Sequence, residues 1–134
     1  MKTSHPTDTK DLEIKNHKCF FVGGVKKNID NKEIAKGTMY VEQFTPKKHK
    51  ENLKIIFIHG GGQTGAGFLG TPDGRRGWVH DFLLAGFEVF VVDQPGRGRS
   101  GYSNKLYGDY IDRELFSRIF KNCQNGTFLP MHEN

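Results

Sequence analysis

Residues 53–65, LKIIFIHGGGQTG, place an apolar run directly before a cluster of glycines. The run 53–58 carries β-branched and aromatic residues on both faces, which is typical of a strand in a sheet that helices cover on both sides. Four of the next seven residues, 59–65, are glycine, and at these positions no side chain covers the backbone. The segment predicts a buried strand whose end presents main-chain N–H groups as the candidate functional groups.

A second apolar run, residues 87–93, predicts the next strand of the same sheet. Between the two runs, apolar residues recur at helical spacing and Gly86 is well placed to end the helix. The helical set is Trp78, Phe82, Leu83 and Ala85. A strand, a helix and a strand in this order predict parallel strands joined by a right-handed crossover. We expect Trp78, Phe82 and Phe87 to lie in the core.

The chain before this unit predicts a hairpin. Residues 18–24 and 37–44 have strand-like patterns, and Asn28, Asp30 and Asn31 between them favour a turn. Residues 1–17 show no apolar period and are expected to form an irregular arm. We therefore predict an α/β chain with one domain, residues 18–134.

A last helix is predicted at residues 110–120, where apolar residues share one face. No strand-like run follows it up to residue 134. The crossover that begins after Asp93 does not return to the sheet within the sequence, so we expect a domain that stops short of a complete fold.

Composition excludes several classes of protein. The 134 residues carry a net charge of +5, but Lys47, Lys48, Lys50 and Lys54 lie in one run beside a proline, as in a solvated loop. We therefore expect no nucleic-acid binding. The apolar run nearest the start, residues 19–22, is too short for a signal-peptide core or a membrane span. A cytoplasmic protein without membrane contact is the expectation.

The glycines also suggest a dinucleotide site, because G-x-G-x-x-G occurs twice: at Gly60, Gly62 and Gly65, and at Gly96, Gly98 and Gly101. Such a site needs a helix at once after the glycine turn and an acid about 20 residues later. Further glycines and Pro72 follow the first match, and Asp93 lies 31 residues after Gly62. A dinucleotide-binding module, with Arg97 and Arg99 pairing with phosphate, remains the alternative.

Residues 53–103 resemble the N-terminal half of the α/β-hydrolases, in their esterase-like branch. The similar segments are IIFIHGGGQTG, TPDGRRGW and VFVVDQPGRGRSGYS, in that order. The resemblance implies a partial α/β-hydrolase fold, with an opening antiparallel hairpin and then parallel strands with covering helices. It also implies that H-G-G-G is an oxyanion loop, in which Gly61 and Gly62 carry the N–H donors while His59 and Gly60 support the site.

The nucleophile that this resemblance requires does not occur in the sequence. The family's elbow is G-x-S-x-G, whereas Ser100 and Ser103 each have one glycine where two are needed. Ser100 keeps the family's chain order with Asp109 or Asp112 and His132, yet it belongs to a loop before the nucleophile strand. We expect the triad to lie beyond residue 134 and the isolated chain to be inactive.

The resemblance implies a small ester as the substrate and neither a cofactor nor a metal. Cys19 and Cys123 follow no C-x-x-C spacing, which also argues against a metal or redox motif. A non-catalytic binding protein built on half of a hydrolase fold is a further alternative. The open edge of its unfinished sheet would favour self-association.

Overall fold

The computed structural model describes residues 12–50 and 52–109. The strands are β1 (Ile14–Ile29), β2 (Lys32–Pro46), β3 (Lys54–Ile58) and β4 (Glu88–Asp93), and the helices are α1 (Trp78–Leu84) and α2 (Asn104–Tyr107). The four strands form one mixed sheet in the order β1-β2-β4-β3. β2 is antiparallel to both β1 and β4, whereas β3 and β4 are parallel. The observed fold is therefore α/β, as predicted.

The predicted hairpin is confirmed, but it is longer than expected. Its strands pair from Ile14 opposite Pro46 to Ile29 opposite Lys32. Asp30 and Asn31 form a two-residue turn with φ of 50° and 59°, the two positive values that a type I′ turn requires. The predicted strand end at residue 24 is wrong because the ladder continues past the glycines. Residues 14–17, expected in an irregular arm, are likewise part of β1.

The strand–helix–strand unit agrees with the prediction. Helix α1 ends where Gly86 adopts a φ of 91°, and the Gly86 N–H donates to the Leu83 carbonyl at 3.0 Å. The Phe87 N–H donates to the Phe82 carbonyl at 3.0 Å, which satisfies a second carbonyl of the last turn. The chain then enters β4 beside β3.

One face of the β3–β4 pair packs on α1 and forms the core. The buried cluster consists of Phe57, Val79, Leu83, Val89 and Val91. Phe82 and Phe87 pack against this cluster, as predicted, but Trp78 is 65% exposed and does not belong to it. Trp78 is the first residue of α1, and the buried stripe of the helix passes through Val79 and Leu83 instead.

The expectation that helices cover β3 on both faces is wrong for the described part of the chain. Ile56 and Ile58 are 59% and 60% exposed. Their side chains alternate with that of buried Phe57, so they point to the face opposite α1. Among the described strands β3 has β4 as its only partner, and self-association along its free edge stays a prediction.

The chain divides into two compact units, Met1–Gly101 and Tyr102–Asn134. In the described part of the second unit, α2 lies between Tyr102 and Gly108, and the Tyr102 hydroxyl donates to the Gly108 carbonyl. The predicted helix 110–120 lies outside the described residues. Within residues 12–50 and 52–109, no helix is long and apolar enough to span a bilayer.

Candidate functional site

The first glycines after β3 form a tight turn. The Gln63 N–H donates to the Gly60 carbonyl at 3.3 Å. Gly62 has a φ of 69°, whereas Gly61 is not among the residues with positive φ, and this combination defines a type II turn. Within the described part of the chain, the N–H groups of Gly61 and Gly62 donate to no acceptor. The turn thus presents two adjacent amide donors that residues 12–50 and 52–109 leave without an acceptor.

His59 fastens this turn to the loop after β4. Its side chain is buried, and its Nε2 accepts the Gln94 N–H at 3.0 Å. The Gln94 amide returns a bond from Nε2 to the His59 carbonyl at 2.9 Å. A backbone N–H can only donate, so the proton of the neutral ring is on Nδ1, which donates to the Gly60 carbonyl at 2.9 Å. All bonding capacity of the ring is therefore used to hold the two loops.

An open depression lies beside the turn. Its volume is about 430 Å³, and it is lined by Gly62, Gln63, Thr64, Gly67 and Phe68. The centroid of the Phe68 ring is 4.9 Å from that of Phe57 in the core and 6.2 Å from that of the exposed Trp78. The lining of the depression therefore combines glycine main chain and the polar residues Gln63 and Thr64 with one aromatic ring, that of Phe68.

Asp93, at the end of β4, is fully buried below the glycine loops. The Gly65 N–H donates to its Oδ1 at 2.6 Å, and Arg99 donates to its Oδ2 from both N and Nε at 2.8 Å. Burial would raise the pKa of this carboxyl, but the hydrogen bonds from Arg99 and Gly65 outweigh burial and lower the pKa to about 2. Asp93 is thus an ionised anchor that gathers both loops.

The backbone comes close to the Asp93 carboxylate at two positions that only glycine can occupy without a clash. A Cβ on Gly65 would lie 2.6 Å from Val91 Cγ1 and 2.9 Å from the Val92 carbonyl oxygen. A Cβ on Gly98, whose φ is 43°, would lie 2.6 Å from Asp93 Oδ2. Gly65 and Gly98, one from each G-x-G-x-x-G match, thus allow the backbone to pack closely around the Asp93 carboxylate.

Arg99 extends the anchor to the hairpin. Its NH1 donates to Glu42 Oε2 on β2, and its guanidinium lies 4.2 Å from the centre of the Tyr40 ring. The Glu42 side chain is only 11% exposed. One cation therefore joins the carboxylates of Asp93 and Glu42, which stand on neighbouring strands of the sheet.

Ser100 has a structural role. Its hydroxyl donates to the Asp93 carbonyl and accepts the Tyr40 N–H at 2.8 Å. Both interactions fix the end of β4 against β2, and they occupy the hydroxyl proton that a nucleophile would have to give to a base. The structure thus supports the rejection of Ser100 as a nucleophile.

The geometry also argues against the dinucleotide alternative. The acid that would bind ribose, Asp93, is buried and bonded to Gly65 and Arg99. Arg99 pairs with carboxylates rather than facing a phosphate site. After the first glycine turn comes only a four-residue 3-10 turn, Gly65–Phe68, so no helix N-terminus is directed at a ligand there.

Sequence reasoning missed the Asp93–Arg99–Glu42 network. Arg99 follows Asp93 within one short loop, so the proximity of these two residues could have been predicted from the sequence. Glu42 comes near only because Glu42 pairs with Val91 in the β2–β4 ladder, and that register is not evident in the sequence.

Comparison with known proteins gives one sequence relative and one structural neighbour of interest. The chain is 41% identical over 96 residues to a protein named "Probable secreted lipase phiG" from a fungal species (strain ATCC 74256), and this match covers 72% of the chain and 24% of the relative. A solved structure described as that of a novel bacterial esterase matches with a TM-score of 0.63 and 32% identity, covering 75% of this chain and 36% of that one. No protein-family model matches.

These similarities confirm the resemblance to an esterase-like α/β-hydrolase. The chain spans about a quarter of the length of the lipase and about a third of that of the esterase. The expectation of a cytoplasmic protein gains no support, because the fungal relative is named a secreted lipase.

Proposed function

We propose that this chain, an esterase-like α/β-hydrolase sequence by its similarities, carries the oxyanion-binding loop of a carboxylic ester hydrolase. In this proposal the sheet is the opening part of the α/β-hydrolase fold, and Gly61 and Gly62 are the oxyanion donors. His59 and Gly60 hold the loop in place. The substrate is a small carboxylic ester.

The chemistry is acyl transfer to water. A serine hydroxyl attacks the ester carbonyl, a histidine takes the serine proton and gives it to the leaving alcohol, and water then hydrolyses the acyl-serine. The carbonyl oxygen becomes negative in each addition step, and the two glycine N–H groups stabilise it. Removing one such donor typically costs about 2.7–4 kcal/mol of transition-state stabilisation. In this proposal residues 1–134 do not supply the nucleophilic serine, because no G-x-S-x-G occurs among them.

The observation that carries the proposal is the pair of amides at Gly61 and Gly62, which have no acceptor among the residues that the structure describes. An oxyanion site needs donors that are already oriented and need no rearrangement during the reaction. The bonds of His59 to Gln94 and Gly60 supply that rigidity. The adjoining depression, with Phe68 in its wall, has room for the acyl group of an ester.

Amide hydrogen exchange on the isolated chain tests the unused donors directly. We expect the Gly61 and Gly62 amides to exchange rapidly, because no acceptor in the described part of the chain protects them. The Gly65 amide, which donates to buried Asp93, is the internal control and should exchange slowly. Protection of Gly61 and Gly62 equal to that of Gly65 would mean that the protein itself occupies these donors, and the proposal would fail.

A chimera tests the catalytic role. Residues 53–103 replace the matching segment of the similar bacterial esterase, and Gly61→Pro is compared with Gly61→Ala. Gly61 is the second residue of a type II turn, where proline is favoured, so proline removes the N–H and keeps the turn. We expect Gly61→Pro to lower kcat by about 10²–10³-fold with little change in KM, and Gly61→Ala to retain most activity. Equal activity of the two variants would contradict the role of the Gly61 N–H.

The isolated chain should not hydrolyse a short-chain chromogenic ester. If it did, and if Ser100→Ala abolished the turnover, the nucleophile would be within this chain and the assignment of Ser100 to structure would be wrong.

A further inference from the structure

Three metal-ligating side chains meet on the hairpin, away from the glycine loops. His17 and Cys19 are two residues apart on β1 and so point to the same face, and Glu42 faces Cys19 across the β1–β2 ladder. Their ligand atoms, His17 Nε2, Cys19 Sγ and one Glu42 carboxylate oxygen, all lie within 4.8 Å of one another. The site proposed for ester hydrolysis uses none of them.

The spacing of these atoms suits a tetrahedral ion. Nε2 of His17 is 2.9 Å from Glu42 Oε1 and 3.9 Å from Cys19 Sγ. Around a tetrahedral Zn²⁺, ligand atoms of these types are about 3.3–3.6 Å from one another, given metal–ligand bonds of about 2.0–2.3 Å. The Cys19 Sγ and Glu42 oxygen atoms are within 4.8 Å of each other, so side-chain shifts of about 1 Å would bring the three atoms to that geometry.

Neighbouring groups orient the ligands. The His17 ring is stacked on Phe44 with centroids 4.5 Å apart and planes 8° from parallel. Arg99 holds Glu42 by Oε2, which leaves Oε1 for an ion. Supporting contacts of this kind are what fix first-sphere ligands in metal sites.

The charges also balance. The ionised Asp93 and Glu42 outweigh Arg99 by one negative charge. A Cys19 thiolate adds a second negative charge, and neutral His17 adds none. A divalent cation would therefore bring the cluster, with Arg99 included, to a net charge of zero.

We propose that His17, Cys19 and Glu42 form a binding site for a divalent ion of the zinc class. One nitrogen, one sulfur and one oxygen ligand favour Zn²⁺ over the hard ions Mg²⁺ and Ca²⁺. On binding, the Cys19 thiol releases its proton to solvent, and His17 carries its remaining proton on Nδ1 so that Nε2 can bind the metal. Water occupies the fourth position, as in zinc sites with three protein ligands. The ion would clamp β1 to β2 next to the Arg99 network.

Zinc titration of the full chain, made without a histidine tag and freed of metal with a chelator, tests the site. We expect calorimetry to show one Zn²⁺ per chain. Cys19→Ser and His17→Phe should each weaken binding by ~100-fold or more, as expected for loss of a ligand from a three-ligand site. The phenylalanine preserves the ring stack on Phe44 while removing Nε2. Cys123→Ser and His49→Phe are the matched controls and should leave the affinity unchanged.

Cobalt gives a second readout that does not depend on affinity. Co²⁺ bound through a thiolate shows an intense charge-transfer absorption, which should be present in the original chain and in Cys123→Ser but absent in Cys19→Ser. Far-UV circular dichroism identifies any variant that fails to fold, and if His17→Phe does, the comparison of the two cysteine variants decides. Absence of zinc binding up to a free Zn²⁺ concentration of about 1 mM would overturn the proposal. So would binding that survives Cys19→Ser.

Discussion

The Nε2 atom of His59 accepts the main-chain N–H of Gln94 across 3.0 Å. These residues follow β3 and β4, which are neighbouring parallel strands, so this one bond joins the loops at the carboxyl edge of the sheet. A histidine bound in this way serves to position the glycine turn and has no lone pair left for proton transfer.

Replacing His59 should destabilise the protein more than replacing its partner's side chain. His59→Phe removes a buried side chain that accepts the Gln94 N–H and donates to the Gly60 carbonyl, so we expect a loss of about 1–3 kcal/mol in the free energy of unfolding. Gln94→Ala removes the bond to the His59 carbonyl but keeps the N–H donor, and should cost about 0.5–1.5 kcal/mol. Urea denaturation measures both. A His59→Phe variant as stable as the original chain would contradict the role of His59.

Acid should weaken the fold through Asp93. Its folded-state pKa of about 2 lies below its ordinary value of 3.8, so ionised Asp93 contributes its full stabilisation above about pH 4 and loses it as the pH falls toward 2. The shift corresponds to about 2 kcal/mol. Asp93→Asn should be less stable at about pH 7 and should lose less stability on acidification, as measured by urea unfolding at several pH values.

The exposed Asp109 provides the control for this experiment. Asp109→Asn should follow the same acid dependence as the original chain. If Asp93→Asn did so too, the ionised carboxylate would not be a source of stability.

Two glycines near each other in the sequence should respond oppositely to alanine. Gly65→Ala brings a Cβ to within 2.6 Å of Val91 Cγ1, and we expect about 1–3 kcal/mol of destabilisation from overpacking. At Gly67 an added Cβ meets nothing within 4 Å, and alanine there should be neutral or stabilising by up to about 1 kcal/mol. Thermal unfolding of the pair distinguishes them, and similar midpoints would refute the packing at Gly65.

Ser100→Ala should lower stability by about 1–2 kcal/mol, because the Tyr40 N–H and the Asp93 carbonyl both lose their side-chain partner. Ser103→Ala is a suitable comparison, since the Ser103 side chain makes no capping bond at the start of α2. We expect its denaturation midpoint to match that of the original chain. A Ser100→Ala variant with the same midpoint would remove the structural role assigned to this hydroxyl.

Local patterns in the sequence were enough to predict most of the strands and helix α1. The apolar runs, the positive-φ glycine at Gly86 and the turn residues Asp30 and Asn31 act within a few residues, so the strands, α1 and the hairpin were predictable. The end of β1 was not, because glycines that interrupt a strand look like glycines that end one. Whether Ile56 is covered depends on what packs against that face, which a single strand cannot indicate.

The candidate site was predictable in part. The resemblance predicted oxyanion donors at Gly61 and Gly62, and the structure leaves these amides without acceptors among the described residues. Contacts made across the sheet were not accessible, because a one-residue change of register would move Glu42 to the opposite face, away from Arg99 and Cys19. The zinc-class site proposed on the hairpin therefore departs from the sequence-based expectation of no metal.

The type I′ turn at Asp30 and Asn31 also bears on the order in which the chain folds. Each β1–β2 contact near that turn closes only a few residues of chain, and isolated hairpins form in about 1–10 μs. Pairing of β2 with β4 joins Tyr40 to Asp93 and must close a far longer loop, at a higher cost in entropy. We therefore expect the hairpin to be an early template, with docking of β4 onto β2 as the slow step that completes the sheet.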